Sequence, residues 1–476
     1  MRSIPTHLPL DFMNRTFTRL VLPLLLLAFI TTASHAAEKR PNILLVITDD
    51  ESWLERGAYG WAKIPTSHFD RIAREGALFT NAYSSAPSCA PSRAALLTGR
   101  NFWELEQGAF IQAWLPEKFP VLPDLLRAGG YHAGRIGKGW GPGVHPAGSH
   151  GPDVAGRGYN RIKLAKPERA MTALDYAGNF AALLADRRDG QPFFCWLGMQ
   201  EPHDPWAPGN HVKLKERYGL SPEQIPVPAF LEDNEKTRTT RANMLYETCR
   251  SDEMLGEVLA VLEKNGELDD TIIIVTSDNG TACGQSKAGP YDWGTHVPFA
   301  IRWPGKVKPG RVVEDFIGSP DIAPTLLAAA GVPVPDSMSG RSFMDILISE
   351  KSGRIDPTRD HIVTGLEWHG ELPPANRASR TIRDDRYQYI INHGTNPITN
   401  VPEELYDLEK DPAHRDNLIA DSAHAETRDR LKKQLRDLQL KTGDPRATGE
   451  MEIFDTTRAF VEARKAKGYG SKAEKE

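Results

Sequence analysis

Three near-continuous apolar runs constrain the fold of this 476-residue chain more than any other feature of its sequence. They are Asn42 to Thr48, Phe193 to Met199 and Thr271 to Ser277. Runs without polar alternation are typical of strands that are buried on both faces of a mostly parallel sheet. Before the third run, apolar residues recur at the i, i+3, i+4, i+7 spacing of a helix, at Leu255, Val258, Leu259 and Leu262, and Gly266 then stops it. This alternation predicts an α/β fold, with a mostly parallel central sheet flanked by helices.

Polar residues follow each of the three runs. The first is followed by Asp49-Asp50, the second by Glu201-Pro202-His203 and the third by Asp278-Asn279. In open α/β sheets, ligand sites gather at the carboxyl ends of the strands. The sequence therefore predicts a functional site at this edge of the sheet.

The chain changes character after a loop rich in proline and glycine, from Gly331 to Gly340. Tyr387 to Ile391 and Leu405 to Leu408 are predicted as short antiparallel strands. A charged amphipathic helix is expected to end before Gly443, with its apolar face at Leu431, Leu435 and Leu438. We therefore expect a catalytic domain over residues 37–349, a smaller α+β subdomain over 350–446 and a loose polar tail over 447–476.

The first 36 residues have the pattern of a secretory signal peptide. Arg15 and Arg19 precede the apolar run Leu20 to Ile30, and small residues lead to a cleavage site after Ala36. The run is shorter than the roughly 20 residues of a transmembrane helix. Because no stop-transfer pattern follows, a cleaved signal is favoured over an uncleaved anchor. The sequence predicts a secreted or periplasmic protein without stable membrane insertion.

The net charge argues against nucleic acid as a partner. It is -5, with a pI of about 6.3, so no global positive field surrounds the chain. An anionic substrate would have to be bound by a local cationic pocket.

The most specific motif is Ser88-Cys89-Ala90-Pro91-Ser92-Arg93, continued by Leu97-Thr98-Gly99-Arg100. It resembles the signature of the type I sulfatase family, C-x-P-S-R followed by T-G-R. The resemblance implies that a maturation enzyme oxidises Cys89 to formylglycine. A hydrated aldehyde has two hydroxyls: one attacks sulfur, and the other loses a proton so that collapse to the aldehyde expels sulfate. Arg93 lies one helical turn after Cys89 and can face the same anion. Without the motif, a lone cysteine would be interpreted as a buried free thiol.

The resemblance also implies one calcium ion. The positions that match the family's ligands are Asp49, Asp50, Asp278 and Asn279. Alone, such pairs would be interpreted as turns or helix caps. Carboxylate and amide oxygens suit calcium or magnesium, whereas zinc favours His and Cys.

Three cations match family positions that grip the sulfate oxygens: Lys138, His203 and Lys287. The resemblance implies that His203 or Lys287 protonates the leaving group. The family's second signature, G-K-x-H, is incomplete here, because the chain has Gly137-Lys138-Gly139-Trp140-Gly141. The candidates to replace the missing histidine, which hydrogen-bonds the formylglycine, are His145, His150 and His132.

Further blocks are similar to the heparan N-sulfatase branch of the family, including Tyr291 to Thr295 and Thr442 to Pro445. That resemblance implies a sulfated saccharide as substrate, with N-sulfoglucosamine of heparan-type glycans as the candidate. It also assigns His369 and Arg380 to sugar binding. The alternatives are an O-sulfatase for another sulfated polysaccharide, a phosphate or phosphonate ester hydrolase of the same superfamily, and a non-catalytic glycan-binding relative.

Overall fold

The computed structural model describes residues 40–370, 378–393 and 401–467, and the strands in these ranges form three sheets. The strands are β1 (Asn42–Thr48), β2 (Ala77–Phe79), β3 (Ala82–Tyr83), β4 (His132–Gly137), β5 (Arg157–Gly158), β6 (Phe193–Gly198), β7 (Thr271–Ser277), β8 (Phe299–Arg302), β9 (Arg311–Val313), β10 (Ile317–Gly318), β11 (His361–Leu366), β12 (Ala378–Asp384), β13 (Tyr387–His393) and β14 (Glu403–Asp407). The central sheet has the order β5-β4-β6-β1-β7-β8-β2-β9. From β5 to β7 all neighbours are parallel, whereas β8 is antiparallel to both β7 and β2. The predicted mostly parallel α/β fold is confirmed.

Helices cover both faces of this sheet, which explains why the predicted central strands carry no polar alternation. The α-helices of the described ranges are α1 (Ser67–Glu75), α2 (Cys89–Thr98), α3 (Leu122–Ala128), α4 (Tyr176–Ala185), α5 (Asn210–Tyr218), α6 (Glu235–Lys264), α7 (Asp292–Thr295), α8 (Ile322–Ala329), α9 (Met344–Ile348), α10 (Ala425–Lys441), α11 (Pro445–Thr448) and α12 (Glu452–Ala466). On one face of β1, Ile43, Leu45 and Ile47 pack with α2, α3, α8 and α9. On the other face, Leu44 and Val46 pack with α1, α4 and α6. All seven residues of β1 and all seven of β7 are buried.

The carboxyl ends of the parallel strands meet at one edge. Thr48 is paired with Ser277, and Gly137 with Gly198. Beyond these pairs, the Asp278 amide donates to the Thr48 carbonyl (3.2 Å) and the Lys138 amide to the Gly198 carbonyl (2.8 Å). The residues that follow β1, β4, β6 and β7 are therefore held against one another by main-chain hydrogen bonds.

The C-terminal sheet is antiparallel and has the order β11-β12-β13-β14. Its strands β13 and β14 and helix α10 confirm the antiparallel strands and the amphipathic helix that the sequence predicts. The expected loose tail is wrong for residues 452–466, which form α12. Phe454 and Val461 of α12 are buried in the same apolar cluster as Leu431 and Leu435 of α10. Their spacing of seven residues is the helical signal that the polar composition of the tail obscured.

The predicted signal peptide and the last residues of the chain lie outside the described ranges. The domain boundaries stay a prediction. None of the helices within the described ranges combines the length and the apolar character of a membrane-spanning segment. All four cysteines are free thiols: Cys89, Cys195, Cys249 and Cys283.

Candidate active site

Cys89 is the first residue of α2, directly after the extended residue Ser88. Its Sγ lies 3.7 Å from Asp49 Oδ1 and 3.9 Å from Asp50 Oδ1, and the residue is buried. Burial raises the pKa of the Cys89 thiol to about 12, against the opposing effect of Lys138. An unmodified thiol at this position is therefore protonated at neutral pH and a weak nucleophile.

The acidic residues of the site follow β1 and β7, which are adjacent strands. The Asp50 amide donates to Asp278 Oδ1 (3.2 Å), and Asn279 Nδ2 donates to Asp50 Oδ1 (2.8 Å). Asp50 has a φ of 67°, a left-handed conformation that Asp adopts more readily than most residues. This conformation allows two successive aspartates to follow one strand and both approach Cys89.

One buried acceptor in this group has no hydrogen-bond partner. Asn279 Oδ1 is buried and unpaired, although its own Nδ2 is bonded to Asp50 and to the Gly280 carbonyl (2.9 Å). Leaving a buried amide oxygen unpaired costs about 1–3 kcal/mol. An oxygen-coordinated cation would satisfy it, so the donor set of Asp49, Asp50, Asp278 and Asn279 fits a hard divalent cation.

Three full positive charges face the three carboxylates. Lys138 Nζ lies 2.6 Å from both Oδ atoms of Asp49, and Lys287 Nζ lies 2.5 Å from Asp50 Oδ2. Arg93 Nε donates to Asp278 Oδ2 at 2.7 Å. Burial alone would raise the pKa of Asp49, but Lys138 and His203 outweigh it and hold that pKa at about 2. Asp49 is therefore ionised at neutral pH.

The same cluster holds an unpaired donor. Arg93 Nη1 is bonded to the carbonyls of Lys138 (3.2 Å) and Gly139 (3.3 Å), whereas its Nη2 is buried without a hydrogen-bond partner. A buried guanidinium nitrogen without an acceptor is suited to an anion. The site thus combines an unsatisfied acceptor, suited to a cation, with an unsatisfied donor, suited to an anion.

His203 lies on the solvent side of the cluster. Its Nε2 is 3.5 Å from Asp50 Oδ2 and accepts a hydrogen bond from Lys287 Nζ (3.2 Å). The side chains of His203 and Lys138 are 19% and 22% exposed, whereas that of Arg93 is fully buried. A ligand therefore reaches the cluster past His203 and Lys138, with Arg93 at the bottom.

Most of the predicted site residues meet at this one place. They are Cys89, Arg93, Lys138, His203, Lys287, Asp49, Asp50, Asp278 and Asn279. His369 reaches the motif from the C-terminal sheet, because its Nδ1 lies 2.9 Å from Ser88 Oγ. The sequence carried no signal for this contact, since 281 positions separate the two residues.

The prediction that Arg380 binds sugar is wrong. Its side chain is fully buried and pairs with Glu367 (2.6 Å) and Asp444 (2.7 Å). The guanidinium also lies over the rings of Phe102 and Trp103, at 4.8 and 5.5 Å from their centroids. Arg380 therefore links the C-terminal sheet to the segment before α11.

Arg380→Ala is expected to reduce the free energy of unfolding by about 3–5 kcal/mol, because it leaves the buried carboxylate of Asp444 without its cation and removes one of the two cations that pair with Glu367. Denaturant unfolding monitored by fluorescence measures this. Arg430→Ala is the matched control: its side chain is 46% exposed and pairs with Asp384, and we expect less than about 1 kcal/mol. Equal losses in the two variants would contradict the structural role of Arg380.

None of the three candidate replacements for the missing histidine is hydrogen-bonded to the Cys89 motif within the described residues. His132 lies at the start of β4, at the opposite end of that strand from Lys138, and contacts Tyr159 Oη (3.0 Å). His145 contacts the His150 carbonyl, and His150 contacts the Phe119 carbonyl, both at 2.8 Å. The histidine bonded to the motif is His369.

Comparisons with known proteins agree with this geometry. A family model described as sulfatase matches residues 41–332. A second, described as the C-terminal part of N-sulphoglucosamine sulphohydrolase, matches residues 287–441.

Individual relatives are more distant. An ulvan-active sulfatase of Formosa agariphila is 27% identical, over 86% of this chain and 82% of its own length. The human N-sulphoglucosamine sulphohydrolase is 26% identical, over 85% of this chain and 91% of its own. A protein solved in complex with its substrate D-glucosamine-2-N,6-O-disulfate superposes with a TM-score of 0.68 at 22% identity, covering 85% of this chain and 99% of its own.

Proposed function

The chain belongs to the sulfatase family, and we propose that it removes sulfate from a sulfated saccharide with a formylglycine made from Cys89 and one bound calcium ion. The observation that carries the proposal is the position of Cys89 Sγ, within 4 Å of two aspartates and close enough to Lys138 and Lys287 to feel their charge. The family match and the sulfatase relatives support the reaction class.

Formylglycine would supply a hydrated aldehyde, whose paired hydroxyls allow attack on sulfur and later release of sulfate. The C-x-P-S-R motif supports this modification. All ten residues of α2 are buried in the folded chain. We infer that the maturation enzyme reads Cys89 and Arg93 before the chain folds, because a folded motif offers it no surface.

Calcium would supply positive charge beside the reacting oxygen. Its proposed ligands are the carboxylates of Asp49, Asp50 and Asp278 and the unpaired Oδ1 of Asn279. The three carboxylates balance Arg93, Lys138 and Lys287. A divalent cation would therefore leave the cluster with two positive charges, which favours an anionic substrate over a neutral one.

The side chains around Cys89 are assigned two further roles, sulfate binding and proton donation. Arg93 Nη2, at the bottom of the site, and the Lys138 ammonium, nearer the solvent, are placed to bind sulfate oxygens. Lys287 is hydrogen-bonded to His203, which lies on the solvent side, where the saccharide would leave. We therefore assign the donation of a proton to the leaving atom to this pair.

Two classes of sulfated sugar are candidate substrates. The match of the C-terminal family model supports N-sulfoglucosamine as the substrate. An O-sulfated sugar is the second candidate, because an N-acetylglucosamine-6-O-sulfatase of Bacteroides thetaiotaomicron is as similar to this chain, at 26% identity, as the N-sulphoglucosamine sulphohydrolase is. The sequence also supports secretion or periplasmic export of the enzyme.

The test is sulfate release from two monosaccharides that differ only in the position of the group, N-sulfoglucosamine and glucosamine 6-O-sulfate. We expect kcat/KM to be at least about tenfold higher for the N-sulfated sugar, because sites that bind polar substrate groups discriminate strongly. A higher value for the O-sulfated sugar would overturn the N-sulfate assignment and leave the sulfatase assignment standing. If the matured enzyme cleaves neither of the two sugars and no aryl sulfate, the N-sulfate assignment and the sulfatase assignment are both overturned.

A further inference from the structure

A loop between β5 and α4 adjoins the site described above. We name residues 160–175 the basic loop. At its start, Asn160 Oδ1 accepts a hydrogen bond from the amide of Gly137 (2.7 Å), the residue before Lys138. Near its end, the Thr172 amide donates to Glu201 Oε1 (2.7 Å), two residues before His203. The loop is thus fixed to the two strand ends that carry Lys138 and His203, the solvent-facing side chains of the site.

The basic loop is ordered by its own contacts. Lys163 and Leu174 form an antiparallel bridge, and the Leu164 amide donates to the Ala173 carbonyl (2.9 Å). Met171 packs against the apolar clusters below the loop. A segment held at both ends and across its middle presents its outward side chains in a fixed arrangement.

The charge of the basic loop is strongly one-sided. Its four cations are all exposed: Arg161, Lys163, Lys166 and Arg169. Within the part of the chain that the structure describes, none of the four forms an ion pair. The loop has two acids, and both are engaged elsewhere: Glu168 pairs with Lys213 and Arg250, and Asp175 caps α4. The loop is therefore an unbalanced positive surface on a chain whose net charge is -5.

We propose that the basic loop binds the sulfate or carboxylate groups of saccharide units beyond the one that enters the pocket. This inference rests on the proposed function and deepens it: the substrate is a polyanionic saccharide chain. Charge complementarity supports this proposal, because the loop that carries the four cations is hydrogen-bonded to the segments next to Lys138 and His203, where an anionic substrate would enter. A single sulfated sugar fills only the pocket and does not need the loop.

The test is a fourfold variant, Arg161→Ala, Lys163→Ala, Lys166→Ala and Arg169→Ala, in the full-length matured enzyme. Binding is measured by titration with heparin at low ionic strength, and turnover with an N- or O-sulfated monosaccharide. We expect heparin affinity to fall roughly 20-fold, because each exposed ion pair contributes a factor of about two to three. Added salt should reduce the difference in heparin affinity between the wild type and the variant, because charges are screened over about 8 Å at 0.15 M ionic strength. The kcat/KM for the monosaccharide should stay within about twofold.

A matched control removes four exposed cations outside the basic loop: Arg74, Arg188, Lys264 and Lys351. Its heparin affinity should remain near the wild-type value. An equal loss in both fourfold variants, or no loss in the loop variant, would overturn the proposal. So would a wild-type enzyme that cleaves the monosaccharide but does not bind heparin. If wild type releases no sulfate from any substrate, the proposed function fails, and the binding comparison still decides the role of the loop.

Discussion

Cys89→Ala is expected to abolish sulfate release, with a fall in kcat of about 10⁴-fold or more, and to leave the fold intact. The change removes the thiol that the maturation enzyme needs in order to form the aldehyde, and enzymes that lose their nucleophile lose rate on this scale. Alanine is a favourable helical residue, so the start of α2 should be preserved. Sulfate release measures the first effect and thermal unfolding the second.

The matched control is Cys249→Ala. Cys249 is also a fully buried free thiol, but it lies on α6 within a separate apolar cluster. Its variant should lose stability, by about 1 kcal/mol for the lost sulfur contacts, and keep its kcat. If the Cys89 variant retained a tenth of wild-type sulfate release, the covalent mechanism would be untenable.

Asp278→Asn is expected to lower kcat by about 10³-fold and to remove the response of the protein to calcium. Asp278 contacts both halves of the site, because its Oδ1 accepts from the Asp50 amide and its Oδ2 from Arg93 Nε. The substitution keeps the shape and removes one negative charge from the proposed ligand set. Wild-type protein should gain about 2.7 kcal/mol of stability at a calcium concentration 100 times the Kd, and the variant should gain far less.

Chelation tests the calcium dependence independently of the substitution. Removal of metal from the wild type should stop sulfate release, and calcium should restore it. The control substitution is Asp321→Asn, which changes a buried carboxylate that pairs with Arg359 and should leave the calcium response unchanged. Elemental analysis that finds zinc, or no metal, in fully active protein would rule out the calcium assignment.

The central strands and the residues after them could be predicted from sequence because strong local patterns specify both. β1 and β7 have the predicted bounds, and parallel pairing then requires Asp49, Asp50, Asp278 and Asn279 to converge. The residues of the Cys89 motif are contiguous in the sequence, so its chemistry can also be inferred without a structure.

Long-range partners could not be predicted in this way. The composition around Arg380 is equally compatible with a sugar contact and with the buried pair that it forms with Asp444. The contact of His369 with Ser88 depends on how the C-terminal sheet packs against α2. The charges of the basic loop are visible in the sequence, but the attachment of the loop next to Lys138 and His203 depends on the hydrogen bonds of Asn160 and Thr172.

The most direct test of the central claim is the mass of the peptide that contains Cys89, measured in enzyme that releases sulfate. We predict an aldehyde at Cys89 in a fraction of molecules that rises in proportion to specific activity. A preparation with full specific activity in which Cys89 is entirely a thiol would contradict it.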